Sequence, residues 1–331
     1  KPHKKKVKEV KTGDLGNLNI PIIKEPSKID YADYVIMETT YGDRLHENIE
    51  SQFMQLADIV KETFKRGGNV IIPSFSVGRT QELLYRINRY IEDKIFDSIT
   101  VYVDSPLAEE STKIFEKYGN YYDEEASEIL SSGEDPLNFK GLIFTKSPEE
   151  SAKINKIKSG IIIISASGMC DAGRIKHHLK HNLWRKECSI VFSGYQAEGT
   201  TGRLILDGAK QVKLFGEEIA VKAHIYNLQG LSGHADRNGL LNWVRSFKKK
   251  PENIFLVHGD QKAQTSFKEL LELNQYKCNV VQRNETISIN DNKFYQNDNL
   301  SIKDKLIELL SSGELDGLDK EQVIEKIKST L

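Results

Sequence analysis

The chain contains 331 residues, of which 38% are hydrophobic and 29% charged, and its formal net charge is −1. This length favours two domains, and a net charge near zero means that a nucleic acid would have to be attracted by a local cleft and not by the whole surface. Three widely spaced cysteines and the lack of a long apolar run argue against a disulfide framework, a Cys-x-x-Cys zinc site and a membrane span. We therefore expect a cytoplasmic protein without a membrane partner.

Strands and helices alternate through the first part of the chain. Residues 34–38 form an apolar strand that ends in a carboxylate, and residues 49–66 place apolar side chains at helical spacing. Further strands are predicted at 69–73, 99–103, 160–165 and 190–193. This alternation is typical of an α/β fold with a largely parallel, doubly wound sheet.

The pattern changes after residue 199. The elements predicted there are a β-hairpin at 212–215 and 219–221, short strands at 224–228, 280–281 and 287–289, and two small amphipathic helices within 302–331. From the amphipathic pattern of the last segment we derive the hypothesis of a homodimer formed through this extension.

Three turns that follow buried strands combine small hydroxyl residues with glycine, at residues 74–80, 165–169 and 193–196. In an open α/β sheet the carboxyl ends of the strands face the ligand crevice, where small residues let backbone N–H groups approach a phosphate. Arg79 and Arg174 lie in or just after two of these turns, and a guanidinium can hold a phosphate with two hydrogen bonds. The residues predicted to bind RNA or its phosphates are Ser74, Phe75, Gly78, Arg79, Ser167, Gly168, Arg174 and Ser232.

Two histidines lie in short glycine-bounded turns, His234 within residues 230–236 and His258 within residues 255–260. The second turn directly follows an apolar strand, and imidazoles at a sheet edge are common metal ligands. We interpret the two turns as converging on one cleft, and the alternative is a pair of unrelated surface turns.

Three carboxylates, Asp14, Glu38 and Asp236, lie beside glycine or histidine turns. An aspartate next to a metal-binding histidine commonly ligates the metal or orients its ligands, and a glutamate near a histidine can tune a proton donor. The alternative for each carboxylate is an ordinary cap or turn residue.

Taken together, these motifs resemble the β-CASP group of metallo-β-lactamase-fold nucleases, over nearly the whole chain to about residue 290. The matching segments are residues 12–16, 37–42, 73–79, 165–174, 193–200, 232–236 and 257–260. The resemblance implies an α/β protein, a partial metallo-β-lactamase αββα fold with an inserted Rossmann-like β-CASP domain. The implied domains are a metallo-β-lactamase segment at 1–47, the β-CASP domain at 48–203, a returning metallo-β-lactamase segment at 204–296 and a helical extension at 297–331.

The resemblance also implies a role for each site residue. Asp14 matches the carboxylate that bridges two zinc ions, and His258 matches the last zinc ligand. His234 matches the histidine that gives a proton to the leaving oxygen, Glu38 matches the residue that hydrogen-bonds this histidine, and Asp236 completes the predicted catalytic set. The implied activity is that of a two-zinc ribonuclease that hydrolyses RNA phosphodiester bonds between the two domains.

The chain departs from the family in its metal ligands. The family's His-x-His-x-Asp-His run and a further zinc histidine have no counterpart, while His3 and His46 stand alone in the sequence. Asp14 and His258 are too few ligands for a two-metal site. We therefore expect the full-length protein to be a nuclease in RNA processing or decay, and this chain by itself to be inactive with incomplete zinc occupancy.

Two other functions stay open from the sequence. The first is a non-catalytic module that binds RNA or a protein partner, against which the presence of Asp14, Glu38, His234 and His258 argues, because such a module has no chemical need for them. The second is a metallo-β-lactamase-fold hydrolase of small esters, against which the large inserted domain and its anion-suited turns argue.

Overall fold

The computed structural model describes residues 7–18, 20–228, 231–283, 285–288 and 293–296, together with Gln322 and Lys326. The helices predicted within 302–331, and the homodimer hypothesis that depends on them, lie outside the described residues apart from Gln322 and Lys326. Gly230 of the first histidine turn also lies outside them.

The described elements agree with the predicted alternation of strands and helices. The strands are β1 (Glu9–Lys11), β2 (Tyr34–Glu38), β3 (Val70–Pro73), β4 (Thr100–Asp104), β5 (Leu142–Phe144), β6 (Ile161–Ser165), β7 (Ser189–Phe192), β8 (Gln211–Leu214), β9 (Glu217–Ala220), β10 (His224–Asn227), β11 (Asn253–Val257), β12 (Cys278–Val280), β13 (Glu285–Ser288) and β14 (Lys293–Gln296). The helices are α1 (Ile49–Lys65), α2 (Arg79–Glu92), α3 (Pro106–Lys117), α4 (Glu124–Ser131), α5 (Pro148–Ile154), α6 (Ile175–Asn182), α7 (Thr201–Leu206), α8 (Arg237–Arg245) and α9 (Gln261–Leu273). The strands predicted between residues 34 and 193 are confirmed to within one residue at each end.

The larger sheet has six parallel strands in the order β10-β7-β3-β6-β4-β5. Every residue of β3 and β6 is buried, as expected for a parallel sheet that is covered by helices on both faces. Because side chains alternate along a strand, Val70 and Ile72 of β3 join the core beneath α1 and α2, whereas Ile71 joins the core on the α6 side. We call this six-stranded sheet with its helices the cap.

The cap continues beyond the boundary that the sequence suggests at residue 203. Strand β10 pairs in parallel with β7, with His224 opposite Ser189, so it is a strand of the larger sheet. The β8–β9 hairpin is antiparallel as predicted, and its Val212 and Leu214 are buried in the core that includes α6. The larger sheet therefore extends in the chain to β10, which pairs with β7, and the domain boundary at residue 203 stays a prediction.

The smaller sheet has four parallel strands in the order β1-β2-β11-β12. Val35 and Met37 of β2 pack in one core with apolar residues of α8 and α9. Since β1, β2 and β11 are neighbours that run in the same direction, their carboxyl ends lie side by side at one edge. The chain is thus an α/β protein built on two parallel sheets, as predicted.

Helices that could span a membrane are not found in the described part of the chain.

Candidate metal and catalytic site

Four predicted site residues meet at the carboxyl edge of the smaller sheet. Asp14 lies in the turn that follows β1, Glu38 is the last residue of β2, and His258 directly follows β11. His234 reaches the same edge from the loop before α8, where it forms an isolated antiparallel bridge with Gly16.

Glu38 and His234 form the most buried pair of the site. The His234 Nδ1 donates to both carboxylate oxygens of Glu38, at 3.0 and 3.1 Å. Glu38 also accepts hydrogen bonds from the Leu15 N–H at 2.5 Å and from the Thr40 hydroxyl at 2.5 Å. Every oxygen of this buried carboxylate therefore has donors, so it can stay ionised out of contact with water.

The contact between Glu38 and His234 lowers the pKa of the glutamate and raises the pKa of the histidine. Burial alone would raise the pKa of Glu38, but the hydrogen bonds from His234 and Thr40 hold it below its usual range. The hydrogen bond to Glu38 raises the pKa of His234, against the opposing effect of burial. The contact thus favours a carboxylate beside an imidazolium.

Backbone hydrogen bonds fix the loop that carries His234. The Ala235 N–H donates to the Leu15 carbonyl at 2.7 Å, and the Asn17 N–H donates to the Gly233 carbonyl at 3.0 Å. The Ser232 hydroxyl accepts from the His234 N–H at 3.2 Å, so in this structure Ser232 supports the histidine loop. Its predicted contact with phosphate stays a prediction.

Both carboxylate oxygens of Asp236 accept hydrogen bonds from backbone N–H groups. One oxygen accepts from the Gly239 N–H at 2.8 Å and caps the N-terminus of α8, and the other accepts from the His46 N–H at 3.1 Å. Asp236 therefore ties the start of α8 to the segment that follows β2. These contacts agree with the alternative that Asp236 is an N-terminal helix-capping residue, and a catalytic role for Asp236 stays a prediction.

His46, which stands alone in the sequence, belongs to this site in the structure. Its Nε2 lies 3.0 Å from the His234 carbonyl oxygen, and its ring meets the Tyr41 ring edge-on at 4.6 Å between centroids. Burial lowers the pKa of His46. The sequence holds no signal for this contact, because 188 residues separate the two histidines.

Asp14 and His258 present exposed side chains to each other. The Asp14 Oδ1 lies 3.7 Å from the His258 Nε2, and the exposed fractions of these side chains are 71% and 63%. His258 has a φ of 46°, and a Cβ on the following Gly259 would lie 2.6 Å from the Thr39 hydroxyl. Close packing of this turn against Thr39 therefore requires glycine and directs the histidine out of the sheet.

Asp14, His234 and His258 could supply some of the ligands of a metal site. One ligand atom from each of Asp14, His234 and His258 can be chosen so that all three lie within 4.8 Å of one another. A zinc site takes four ligands, or three ligands and a water, whereas the Nδ1 of His234 is already bound to Glu38. A carboxylate and an imidazole are thus suited to hold zinc here, but among the described residues they do not complete a two-metal site.

The cap turns place their hydroxyl residues at the carboxyl edge of the larger sheet. Ser74 is buried, and its hydroxyl lies 3.1 Å from the Thr80 hydroxyl. Gly78, with a φ of 79°, precedes α2, and the Ser167 hydroxyl donates to the Ala172 carbonyl at 3.3 Å. Their contacts rigidify the turns, and binding of phosphate by these residues stays a prediction.

The two predicted phosphate arginines have internal partners instead of free guanidinium groups. Arg79 is paired with Glu82 at 2.5 Å, and both side chains are almost fully buried. Arg174 donates to Asp104 at 2.7 Å and to the Lys146 carbonyl at 2.9 Å. These contacts support the cap from within, and phosphate binding by Arg79 and Arg174 stays a prediction.

Asp104 is a central residue of the cap that the sequence pattern did not single out. Its buried carboxylate accepts from His178 Nε2 at 2.6 Å, from Ser151 at 2.5 Å, from Arg174 and from the Thr145 hydroxyl. Burial alone would raise the pKa of Asp104, but these hydrogen bonds hold it far below its usual range. The signal in the sequence was its position at the end of a buried strand.

A cavity of about 700 Å³ separates the cap from the loops of the smaller sheet. Tyr41, His46 and Ser232 line it on the side of His234, and Tyr195 and Arg203 line it on the cap side. The cavity is therefore continuous with the loop that carries His234.

Comparison with known proteins agrees with this architecture. Residues 80–205 match the family described as the Beta-Casp domain, and residues 218–281 match the family described as the Zn-dependent metallo-hydrolase RNA specificity domain. The chain belongs to the β-CASP group of the metallo-β-lactamase fold. The second description also supports the use of metal by this β-CASP protein.

Curated β-CASP relatives are similar over most of this chain. Ribonuclease TTHA0252 of Thermus thermophilus is 32% identical over 280 residues, which cover 85% of this chain and 64% of the relative. The transcription termination factor FttA of Methanocaldococcus jannaschii is 33% identical and covers 76% of this chain and 40% of the relative. An RNase J-like protein of the same organism is 32% identical, and the aligned region covers 77% of this chain and 59% of the relative. The chain thus spans between 40% and 64% of the length of these relatives.

Proposed function

We propose that this chain forms part of a metal-dependent ribonuclease that hydrolyses RNA phosphodiester bonds where the smaller sheet faces the cap. The observation that carries the proposal is the contact between Glu38 and His234 beside Asp14 and His258. A buried carboxylate that holds an imidazole next to potential metal ligands is suited to proton transfer in metal-assisted hydrolysis. The names of the relatives support the same class of reaction.

His234 acts as the proton donor in this proposal. Because its Nδ1 is bound to Glu38 through both carboxylate oxygens, Nε2 is the ring nitrogen that can exchange a proton with a substrate. A water oxygen forms the new bond to phosphorus and its proton passes to solvent, while the bond to the leaving ribose oxygen breaks and that oxygen takes up the His234 proton. Glu38 keeps the ring in one orientation and faces the positive charge of the imidazolium.

Asp14 and His258 hold zinc in this proposal, and the full-length protein supplies the remaining ligands of a two-zinc site. Bound zinc supplies Lewis-acid stabilisation of the negative charge on the phosphate oxygens. The αL turn at His258 keeps the imidazole directed away from the sheet, toward the Asp14 carboxylate. The cap holds the RNA strand opposite these residues, mainly through its phosphates, so we expect little sequence specificity and strong salt dependence.

Replacement of His234 in the full-length protein tests the proposal. We expect His234→Ala to lower single-turnover cleavage of RNA about 100- to 10,000-fold, the usual contribution of a positioned acid, while RNA binding changes little. His224→Ala is the matched control, because His224 is an exposed histidine at the start of β10 on the cap. An unchanged cleavage rate in His234→Ala would show that His234 is not the proton donor.

The same assay separates the rival functions. A non-catalytic module would bind RNA but would show no cleavage that depends on added Zn²⁺. A hydrolase of small esters would cleave a small phosphodiester or ester at least as efficiently as RNA, and this result would contradict the proposed substrate class.

A further inference from the structure

Within the described residues, the chain passes from the smaller sheet to the cap and later returns. The outward crossing is residues 39–48, between the end of β2 and the start of α1, which packs on the larger sheet. The return crossing lies between β10 and α8, and its residues 231–236 carry His234. The proposed proton donor therefore lies on a segment that joins the cap to the smaller sheet.

Hydrogen bonds and a β-bridge hold the two crossings side by side. Tyr41 of the outward crossing forms an isolated parallel bridge with Asp236 of the return crossing. The Arg237 N–H, at the start of α8, donates to the Arg44 carbonyl at 3.0 Å, and the Asp236 carboxylate accepts from the His46 N–H at 3.1 Å. These contacts bring the ring of His46 against the return crossing.

The peptide between His234 and Ala235 is held at both ends. Its carbonyl oxygen lies 3.0 Å from the His46 Nε2, and because a carbonyl oxygen accepts, this nitrogen carries the proton and donates it. At the other end the Ala235 N–H donates to the Leu15 carbonyl at 2.7 Å. His46 and Leu15 thus fix the backbone from which the His234 side chain projects.

The His234 ring has a separate support. Its Nδ1 donates to Glu38, and the Leu15 N–H donates to the same carboxylate at 2.5 Å. The Tyr41 ring lies edge-on to both imidazoles, with its centroid 4.6 Å from that of His46 and 6.2 Å from that of His234. Glu38 therefore sets the orientation of the ring, whereas His46 sets the position of the backbone that carries it.

His46 is close to the cap along the chain. Two residues separate it from Ile49, the first residue of α1, so its hydrogen bond joins His234 to the start of a cap helix. A displacement of about 1 Å of a group that takes part in a reaction can lower the rate about 100-fold. Loss of this hydrogen bond is thus sufficient to slow the proposed reaction.

We propose that His46 is a positioning residue, which places the backbone of the proton donor His234 by a hydrogen bond from the crossing that leads into the cap. The role rests on the proposed function and adds to it a residue that acts through His234. His46 also lines the cavity between the cap and the smaller sheet, so contact with RNA is the rival explanation. A positioning residue changes the rate of cleavage and leaves RNA affinity unchanged, whereas a contact residue changes the affinity.

Two amide replacements of His46 in the full-length protein test this role. The amide nitrogen of Gln can take the place of Nε2 and donate to the His234 carbonyl, whereas the shorter Asn does not reach it. We expect His46→Ala and His46→Asn to lower single-turnover cleavage about 10- to 100-fold, and His46→Gln to stay within about threefold of the parent. RNA dissociation constants should stay within about twofold in every one of these variants.

The comparison of Asn with Gln cancels the general effect on stability of removing the imidazole, because both replacements are amides. His224→Ala is the matched control, since His224 is an exposed histidine on β10, outside both crossings. A double-mutant cycle then shows whether His46 acts through the proton donor. In the His234→Ala background, His46→Ala should cause no further loss of cleavage, because there is no imidazole left to position.

His46 is not a positioning residue if His46→Gln cleaves as slowly as His46→Ala, or if RNA affinity falls by the same factor as the rate. A further loss of cleavage on adding His46→Ala to His234→Ala would also overturn the role. Parental cleavage by His234→Ala would instead refute the proposed proton donor, and nitrogen NMR of the histidine-labelled, RNA-free protein then decides the contact. A His234 ring signal that moves in His46→Ala and returns in His46→Gln supports positioning, and an unmoved signal overturns it.

Discussion

Asp104 lies fully buried at the carboxyl end of β4, where its two oxygens serve different donors. Oδ1 accepts from the Thr145 hydroxyl and from Arg174 at 2.7 Å, and Oδ2 accepts from His178 at 2.6 Å and from Ser151 at 2.5 Å. Asp104→Asn replaces one of these oxygens with an amide that itself donates. Whichever way the amide turns, it faces two donors and leaves them without an acceptor.

The cost of this substitution follows from those contacts. Two hydrogen bonds to a charged group are lost, each worth about 1.5–3 kcal/mol, and the Arg174 charge loses its carboxylate. Removing one partner from a buried ion pair typically costs about 3–5 kcal/mol, so we expect the free energy of unfolding of the cap to fall by about this amount.

Urea unfolding measures the loss. Trp184 and Trp243 are the two tryptophans of the sequence, so in a Trp243→Phe background the emission of Trp184 reports unfolding of the cap. The pKa of Asp104 lies below the usual 3.8, so its contribution is complete above pH 3.8 and disappears as the pH falls through the folded-state pKa. The difference in unfolding free energy between the parent protein and Asp104→Asn should therefore narrow at low pH.

Asp207→Asn is the control for this measurement. Asp207 pairs with Arg203 at 2.9 Å one helical turn away, and its side chain is 57% exposed. Such a surface pair contributes about 0.2–1 kcal/mol. A loss for Asp104→Asn no larger than that for Asp207→Asn would refute the assigned role of the buried carboxylate.

Three further changes bear on the candidate site of the full-length protein. Glu38→Gln removes the charge that faces His234, so single-turnover cleavage should fall about 100-fold or more with RNA affinity retained, and an unchanged rate would contradict the pairing. Gly259→Ala places a Cβ 2.6 Å from the Thr39 hydroxyl and should lower the zinc content per chain. Gly13→Ala is the control, because the space around its Cβ is open and its zinc content should not change. Equal zinc content in the two variants would show that the packing of the Gly259 turn does not affect metal binding. Chelation should abolish cleavage and added Zn²⁺ should restore it, and cleavage that survives chelation would exclude the proposed chemistry.

The positions of the strands could be predicted because the signal is local. The apolar runs that became β3, β6 and β7 are recognisable from neighbouring residues alone, and turn residues mark their ends. Sheet membership is not local, since β10 joins the larger sheet through pairing of His224 with Ser189, 35 positions earlier in the chain. A local sequence pattern does not show which of the two sheets a short strand joins.

The two arginines show which side-chain partners can be predicted from the sequence and which cannot. Glu82 lies three positions after Arg79 on the same helix, so helical spacing could have indicated that pair. Asp104 lies 70 positions before Arg174, and only the neighbouring positions of β4 and the loop after β6 bring them together. The partner of Arg79 is therefore local in the sequence and that of Arg174 is not, and phosphate binding by the two arginines stays a prediction.

The sequence by itself determined which chemical groups stand at the ends of the strands, including Asp14, Glu38 and His258. Tertiary structure alone decided that Glu38 meets His234 across 196 positions and that His46 joins them. Parallel neighbours deliver their carboxyl ends to one edge, but the hydrogen-bond partners there are set by how the loops cross that edge. Contacts of this kind arise from the packing of distant segments, which no local pattern of residues encodes.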